Sequence, residues 1–401
     1  MNVGMILDKT FPPDPRVENE ALSLIKHGHQ VYLYCFNFIH DQPEIEMIKG
    51  IHVFRQRLPK IVYRLSALAY TIPLYHWYLK RSILVFAKKN DIQVIHIHDM
   101  QVARSIFSLR KKLNLPTILD LHENRPEIMK YYTHVRTFPG NLLIFPSIWK
   151  RFEFKYIKEA DRVIVVTKES REYYQEKLPV TSDKFCIVPN TVRKEFYNDF
   201  ELDEVLINKY KDRFTILYLG ETGIRRGIPT AIESIQYLVE KIPNIKLVLV
   251  GSSRTDSVLK DMVAKYGLYD YVDLMGWQDF ALFPSYVMAS KIGISPLHRN
   301  LHHETTFANK LFQYLAFGKP VVVSNCKAQM NIVKAYQCGL VFKDRDAKDL
   351  ANQILKLYLD TDLYEHLSNN AMKAIEEHLN WDKQAESLIE MYDTIITNRN
   401  E

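Results

Sequence analysis

The chain has 401 residues, a formal net charge of +6 and 47% hydrophobic residues. That length suits two large domains, each able to bury a full core. Charged residues at 25%, with only 13 Gly and 17 Pro, exclude a disordered, collagen-like or low-complexity chain.

The opening residues carry no signal-peptide pattern, and the first strand is expected at Val3–Leu7. A helix follows, because Val17, Ala21, Leu24 and Ile25 share one face and Gly28 stands where a left-handed cap belongs. Further strands are expected at Val31–Phe36, His52–Phe54, Val94–His98, Thr117–Leu121, Val163–Thr167 and Phe185–Val188. The alternation restarts with Thr215–Leu219, Lys246–Val250, Val272–Leu274, Ile292–Ser295, Val321–Val323 and Leu340–Phe342. Strands alternating with helices predict two doubly wound, Rossmann-like α/β domains, 1–192 and 193–380, joined near Val188-Pro-Asn-Thr191. The segment 381–401 reads as a terminal helix, with Ala385, Leu388, Ile389, Tyr392 and Ile396 at helical spacing. In such sheets ligands sit beyond the carboxyl ends of the strands, so the loops after strands are where function is sought.

Cys35, Cys186, Cys326 and Cys338 are scattered and form no C-x-x-C pair, which argues against a zinc site or disulfide framework and for a reducing, cytoplasmic setting. No apolar run approaches the ~18–20 residues that span a bilayer. Charge is uneven: residues 1–199 carry +9 and the remainder −3. From Lys49 to Asn90 there are nine basic residues and no acidic one, interleaved with Tyr63, Tyr70, Tyr75, Trp77 and Tyr78. Lys130 to Lys158 repeats the theme with Phe138, Phe145, Trp149 and Phe152. Basic side chains beside amphipathic rings suit an anionic membrane surface. The alternative is a solvated helix face whose rings fill the core. No nucleic-acid motif accompanies the patch, so nucleic acid is not an expected partner.

Two stretches carry the chemistry. Thr215-Ile-Leu-Tyr-Leu-Gly-Glu-Thr-Gly-Ile-Arg-Arg-Gly-Ile228 is a strand, a glycine-containing turn and a helix start. Gly220, Gly223 and Gly227 would let backbone N–H groups approach an anion, and Arg225 and Arg226 would add bidentate phosphate contacts. The spacing fits neither the dinucleotide fingerprint nor the P-loop. In the second stretch a polar loop, His302-His-Glu-Thr-Thr, enters a helix that stops at Gly318. Asn309 and Lys310 lie where they could reach a diphosphate, and Gln313 lies one turn further on, within reach of ribose hydroxyls.

The ordered set of motifs resembles the GT-B glycosyltransferases of family 4 over nearly the whole chain. Asp14-Pro-Arg-Val17, Gly28-His-Gln-Val31, Ile95-His-Ile-His-Asp99 and Asp120-Leu-His-Glu123 follow in the family order. Ala160-Asp-Arg-Val-Ile-Val-Val-Thr167, Val188-Pro-Asn190, Arg225-Arg-Gly227 and Asn309-Lys-Leu-Phe-Gln-Tyr-Leu-Ala-Phe-Gly-Lys-Pro320 complete it. The resemblance implies two domains facing across a cleft, with the C-terminal helix crossing back to the first. It also implies a retaining transferase that moves a hexose from a UDP- or GDP-linked sugar, with no required cofactor or metal. Catalytic roles would fall to His122, Asp99, Arg226 and Lys310. The nucleotide sugar would be held by Gly220, Gly223, Arg225, Arg226, Gly251, Gly276, Trp277, Thr305, Asn309, Lys310 and Gln313. Asp14, Arg16, His98 and Asp99 would lie on the acceptor side. A lipid-linked glycan at the inner face of the membrane, in surface-polysaccharide synthesis, is the expected acceptor. Two departures stand out. Thr305 and Gln313 occupy positions where the family commonly has glutamates, and Glu221 stands where many relatives are basic. A non-catalytic nucleotide-sugar-binding subunit, or an epimerase acting on UDP-sugars, therefore remains a second reading.

Overall fold

The computed structural model describes residues 1–38 and 42–400. It forms two compact units, Met1–Pro189 with Ala385–Glu401, and Asn190–Gln384.

In the first unit an eight-stranded sheet has the order β3-β4-β2-β1-β5-β6-β7-β8. Its strands are β1 (Asn2–Ile6), β2 (Gln30–Asn37), β3 (Ile45–Ile48), β4 (Ile51–Arg57), β5 (Val94–His98), β6 (Thr117–Leu121), β7 (Arg162–Val165) and β8 (Phe185–Ile187). Every neighbouring pair is parallel except β3–β4. Every residue of β5 and β6 is buried, as expected for central strands covered on both faces. The edge strand β3 was not expected from the sequence. Ile45 and Met47 are 59% and 63% exposed, so it lacks an apolar inner row to read. Lys49 and Gly50, at φ 51° and 86°, join it to β4 in a two-residue turn of the kind that matches strand twist.

The helix Pro15–Lys26 begins with Pro15 at its first position and Asp14 as its cap, whose side chain accepts from the Val17 N–H at 3.2 Å. Asp14, expected on the acceptor side, is thus engaged in closing this helix and lies 3.8 Å from Lys9. The aromatics of the two basic stretches divide. Tyr70, Tyr75, Phe86, Trp149 and Tyr156 are buried, with Tyr70 4.7 Å from the rings of both Trp149 and Phe152. Trp77 and Phe138 are 61% and 79% exposed. Within the terminal helix Trp381–Asn400, the Tyr392 hydroxyl lies 2.9 Å from His96 Nδ1 on β5.

The second unit holds a six-stranded, wholly parallel sheet in the order β11-β10-β9-β12-β13-β14. Its strands are β9 (Phe214–Leu219), β10 (Ile245–Val250), β11 (Val272–Gly276), β12 (Ile292–Ser295), β13 (Val321–Ser324) and β14 (Gly339–Phe342). All six of β9's residues are buried, and its Ile216 and Tyr218 face a core that includes Ile228, Ile232 and Leu249. Among the described residues no helix is long and apolar enough to cross a membrane.

Candidate active site

Two groups of charged side chains gather at the carboxyl ends of strands, one in each unit. In the second unit Gly220 and Gly251 directly follow β9 and β10, and β11 ends on Gly276, all three at positive φ. Gly220 N–H donates to the Val250 carbonyl and Gly251 N–H to that of Gly276, both at 2.8 Å. A Cβ on Gly251 would overlap the Gly220 carbonyl oxygen, and one on Gly227 (φ 76°) that of Pro296. Only glycine fits either place. Gly223, by contrast, has an ordinary φ of −57°.

Three cations converge beside this turn. Arg225 Nη2 lies 2.7 Å and Arg226 Nε 3.4 Å from Glu221 Oε2. Lys310, at the start of the helix Lys310–Leu315, is 8% exposed and lays its ammonium 4.4 Å from the centre of the Tyr218 ring. Burial first, then the neighbouring Arg226, holds the Lys310 ammonium well below its usual pKa. Glu221 takes the place on the guanidinium pair that a phosphate oxygen would take.

His303 orients Arg225, a role the sequence did not reveal. His303 Nδ1 lies 2.7 Å from the His298 carbonyl, which can only accept, so Nδ1 carries the proton and Nε2 presents its lone pair to Arg225 Nη1 at 3.2 Å. Burial is the main force lowering the His303 pKa to about 3, and the charges of Arg226 and Arg225 add to it. His298 is itself fixed by Asp344 at 2.8 Å. The remaining expected residues are less uniform. Gln313 is 8% exposed, Asn309 is exposed, and Trp277, directly after Gly276, is 73% exposed. Thr305 is buried and turns its hydroxyl onto the Leu301 carbonyl at 2.8 Å, so it braces its own loop.

In the first unit Asp120, wholly buried on β6, is the hub. It accepts from Arg16 Nε and Nη2 at 2.9 and 2.7 Å and from His122 Nε2 at 2.8 Å, with His98 Nδ1 at 3.2 Å. Burial alone would raise its pKa, but Arg16 and His122 hold it well below the carboxylate range. Burial would likewise discharge His122, yet Asp120 and Asp99 together raise it to about 9. His122 is therefore an imidazolium at neutral pH, with Nδ1 3.6 Å from Asp99 Oδ2. His98 goes the other way: burial and the adjacent His96 lower it to about 3.

Arg16 and His98, expected on the acceptor side, lie deep in this cluster. Arg16 is 6% exposed and bonds Asp120, Glu20 and the Val188 carbonyl, so it forms the floor of this cluster instead of presenting its charge to an acceptor. His98 is fully buried in the same floor. Ligand atoms of Glu20, His96, His98 and Asp120 all lie within 4.8 Å of one another, the grouping a metal would need. The Arg16 guanidinium meets the charge of Asp120 and lies 3.0 Å from Glu20, whose carboxyl burial raises to about 8.

Comparison with known proteins agrees with this architecture. The model "Glycosyltransferase Family 4" matches residues 16–196, and "Glycosyl transferases group 1" matches residues 199–374. The chain belongs to the GT-B glycosyltransferases of family 4. It is 25% identical to the capsular polysaccharide biosynthesis glycosyltransferase CapM of Staphylococcus aureus over 77% of this chain and 87% of that protein. Its fold matches sucrose-phosphate synthase from Thermosynechococcus elongatus at TM-score 0.79 and 18% identity, covering 99% and 100% of the two chains. It matches Anabaena HepE, determined in complex with UDP, at TM-score 0.73 and 14% identity, covering 98% and 100%.

Proposed function

We propose that this glycosyltransferase moves a hexose, with retention, from a UDP- or GDP-linked sugar to a lipid-linked glycan at the membrane surface. The observation that carries the reading is the convergence of Arg225, Arg226 and Lys310 beside Gly220 at the carboxyl end of β9, with Glu221 on the guanidinium pair. When the bond from the anomeric carbon to the diphosphate breaks, its electrons go to the diphosphate. Arg225 and Arg226 would stabilise that developing charge without a resident metal, and the arriving diphosphate would favour the charged form of Lys310 beside them. HepE, which shares this fold, was determined in complex with UDP, which supports a nucleotide donor. His122, charged and held by Asp120 and Asp99, is the group assigned to hydroxyls of the transferred sugar.

The exposed Leu74, Trp77, Tyr78, Phe138 and Leu142 favour a membrane-facing acceptor. The Thr71 hydroxyl donates to the Leu143 carbonyl at 2.9 Å, so the two segments that bear these side chains adjoin, and Lys60, Arg64 and Arg81 beside them are exposed. A role in surface-polysaccharide assembly, at the cytoplasmic face of the membrane, follows by analogy with CapM.

A thermal-shift panel of UDP, GDP, ADP and dTDP with their common sugars tests the donor assignment. The matching nucleotide at 100 times its Kd should stabilise the protein by about 2.7 kcal/mol, and no shift with any of them would overturn it. Saturable binding without hydrolysis or transfer would mark a binding subunit, and conversion of the sugar nucleotide without acceptor an epimerase. Sedimentation with anionic and neutral vesicles at low salt tests the membrane arm. Equal pelleting would reject an electrostatic attachment.

A further inference from the structure

Lys310 differs from the two arginines beside it in what surrounds its charge. Its side chain lies against Gly220, with Nζ 3.5 Å from the place a Cβ on that glycine would take. Tyr218, on β9, packs against it: the ring centre is 4.4 Å and the hydroxyl 3.4 Å from Nζ. That hydroxyl already donates its one proton to the Glu221 carbonyl at 2.6 Å, so toward Lys310 it can only accept. Among the described residues no carboxylate forms an ion pair with Lys310, whereas Glu221 pairs with both Arg225 and Arg226.

An ammonium carries three N–H donors and is costly to bury unless its charge is met. Here one hydroxyl at 3.4 Å and one ring face meet it. From the turn after β9, Arg226 and Arg225 oppose a third positive charge and Glu221 favours it. The Tyr218 phenol, whose pKa burial raises, and the His303 imidazole from the segment after β12, whose pKa burial lowers, are both neutral at ordinary pH. Burial and the guanidinium charges outweigh Glu221, so this arrangement favours the amine form of Lys310. A diphosphate on the arginines reverses the balance. It brings several negative charges to the same turn, takes the place of Glu221 on the guanidinium pair, and offers oxygens that an ammonium can bond.

We propose that Lys310 is an amine in the free enzyme and takes a proton from solvent when the donor's diphosphate binds, so that donor binding is coupled to uptake of a proton and release of the nucleotide product to its return. The inference rests on the donor assignment. The lone pair of Nζ forms the new N–H bond, water or buffer supplies the proton, and no other bond changes. Arg225 and Arg226 are charged at every working pH and meet the donor first. Lys310 is charged by the ligand, which spares the free fold a third buried positive charge and still provides it when the anomeric bond breaks. By linkage, donor affinity falls by up to about tenfold per pH unit between the free and the bound pKa of Lys310.

Calorimetry of the full chain with UDP and with GDP at about pH 8, in buffers of different ionisation enthalpy, counts the protons taken up from the slope of the observed enthalpy. The terminal phosphate titrates at about pH 6 and is ionised under these conditions. The parent should take up at least about half a proton for each nucleotide bound, and its affinity should fall as pH rises. Lys310→Met should bind more weakly and take up none. Lys310→Arg, whose guanidinium is always charged, should bind without uptake and with an affinity that stays flat from roughly pH 7 to 9. Uptake below about half a proton in the parent overturns the proposal. So does uptake that persists in Lys310→Met, which would put the proton on another group such as Lys319 or His122, with pKa values of about 8 and 9. If Lys310→Met fails to melt cooperatively, Lys310→Arg decides: uptake equal to the parent's overturns the proposal and its loss supports it. A parent that binds neither UDP nor GDP loses the donor assignment and this coupling with it, whereas one that binds without uptake loses only the coupling.

Discussion

The two charged clusters differ in how they are balanced. In the second unit Arg225 and Arg226 share the carboxylate of Glu221, which is itself about half exposed, with Lys310 beside them. In the first unit the cations Arg16 and His122 are matched by Asp120 and Asp99, all but His122 buried, while burial raises the Glu20 carboxyl to about 8 and keeps it protonated at neutral pH. A surplus of one sign at a strand end calls for an ion from outside, here an anion. A cluster balanced from within fixes side chains in place and leaves directional oxygen atoms for neutral ligands. One unit is built to meet charge, the other to set geometry.

The contrast breaks most sharply at the hub. Removing Asp120 (Asp120→Ala) takes away the bidentate partner of the buried Arg16 and the partner of the charged His122, leaving Arg16 with Glu20 and the Val188 carbonyl, and should lower stability by about 3–5 kcal/mol, read from urea denaturation. A loss below ~1 kcal/mol would show that the cluster does not depend on that pair.

The pH dependence comes next. The folded pKa of His122, about 9, lies above its ordinary 6.5, so the fold gains from protonating it. That gain is complete below pH ~6.5 and is lost as pH rises through ~9; it amounts to at most about 3 kcal/mol. Melting of the parent should therefore fall more steeply between those values than melting of His122→Gln. Parallel curves would contradict a cationic His122.

On the other side of the comparison, Lys310→Ala and Arg226→Ala should each weaken UDP binding by roughly ten- to hundredfold, the worth of a charged hydrogen bond at about 1.5–3 kcal/mol. Calorimetry showing the parent affinity in both would remove the donor assignment. The smallest effect is the most diagnostic. Glu221→Gln should strengthen UDP binding by up to about fivefold, because a half-exposed ion pair is worth only ~0–1 kcal/mol and the diphosphate must displace it. Weaker binding in this variant would mean that Glu221 assists the donor instead of holding its place.

The parallel α/β character and nearly every strand were legible because buried strands are written as short, continuous apolar runs. β5, β6 and β12 have the bounds expected from sequence. β3 escaped because its outward Ile45 and Met47 leave no inner row. The arginine turn and the Asn309–Lys310 segment were visible as motifs because their residues are adjacent in the chain.

By itself, then, the sequence determined two doubly wound sheets, the family, and a cationic strand-end loop, all properties of local order and periodicity. Only the tertiary structure decided that Arg16 is a buried counter-ion and that His303 steers Arg225. Arg16 meets Asp120 across 104 positions of chain and His303 meets Arg225 across 78. Electrostatic and hydrogen-bond partners are chosen by distance in space, and separations of that size leave no trace in local pattern.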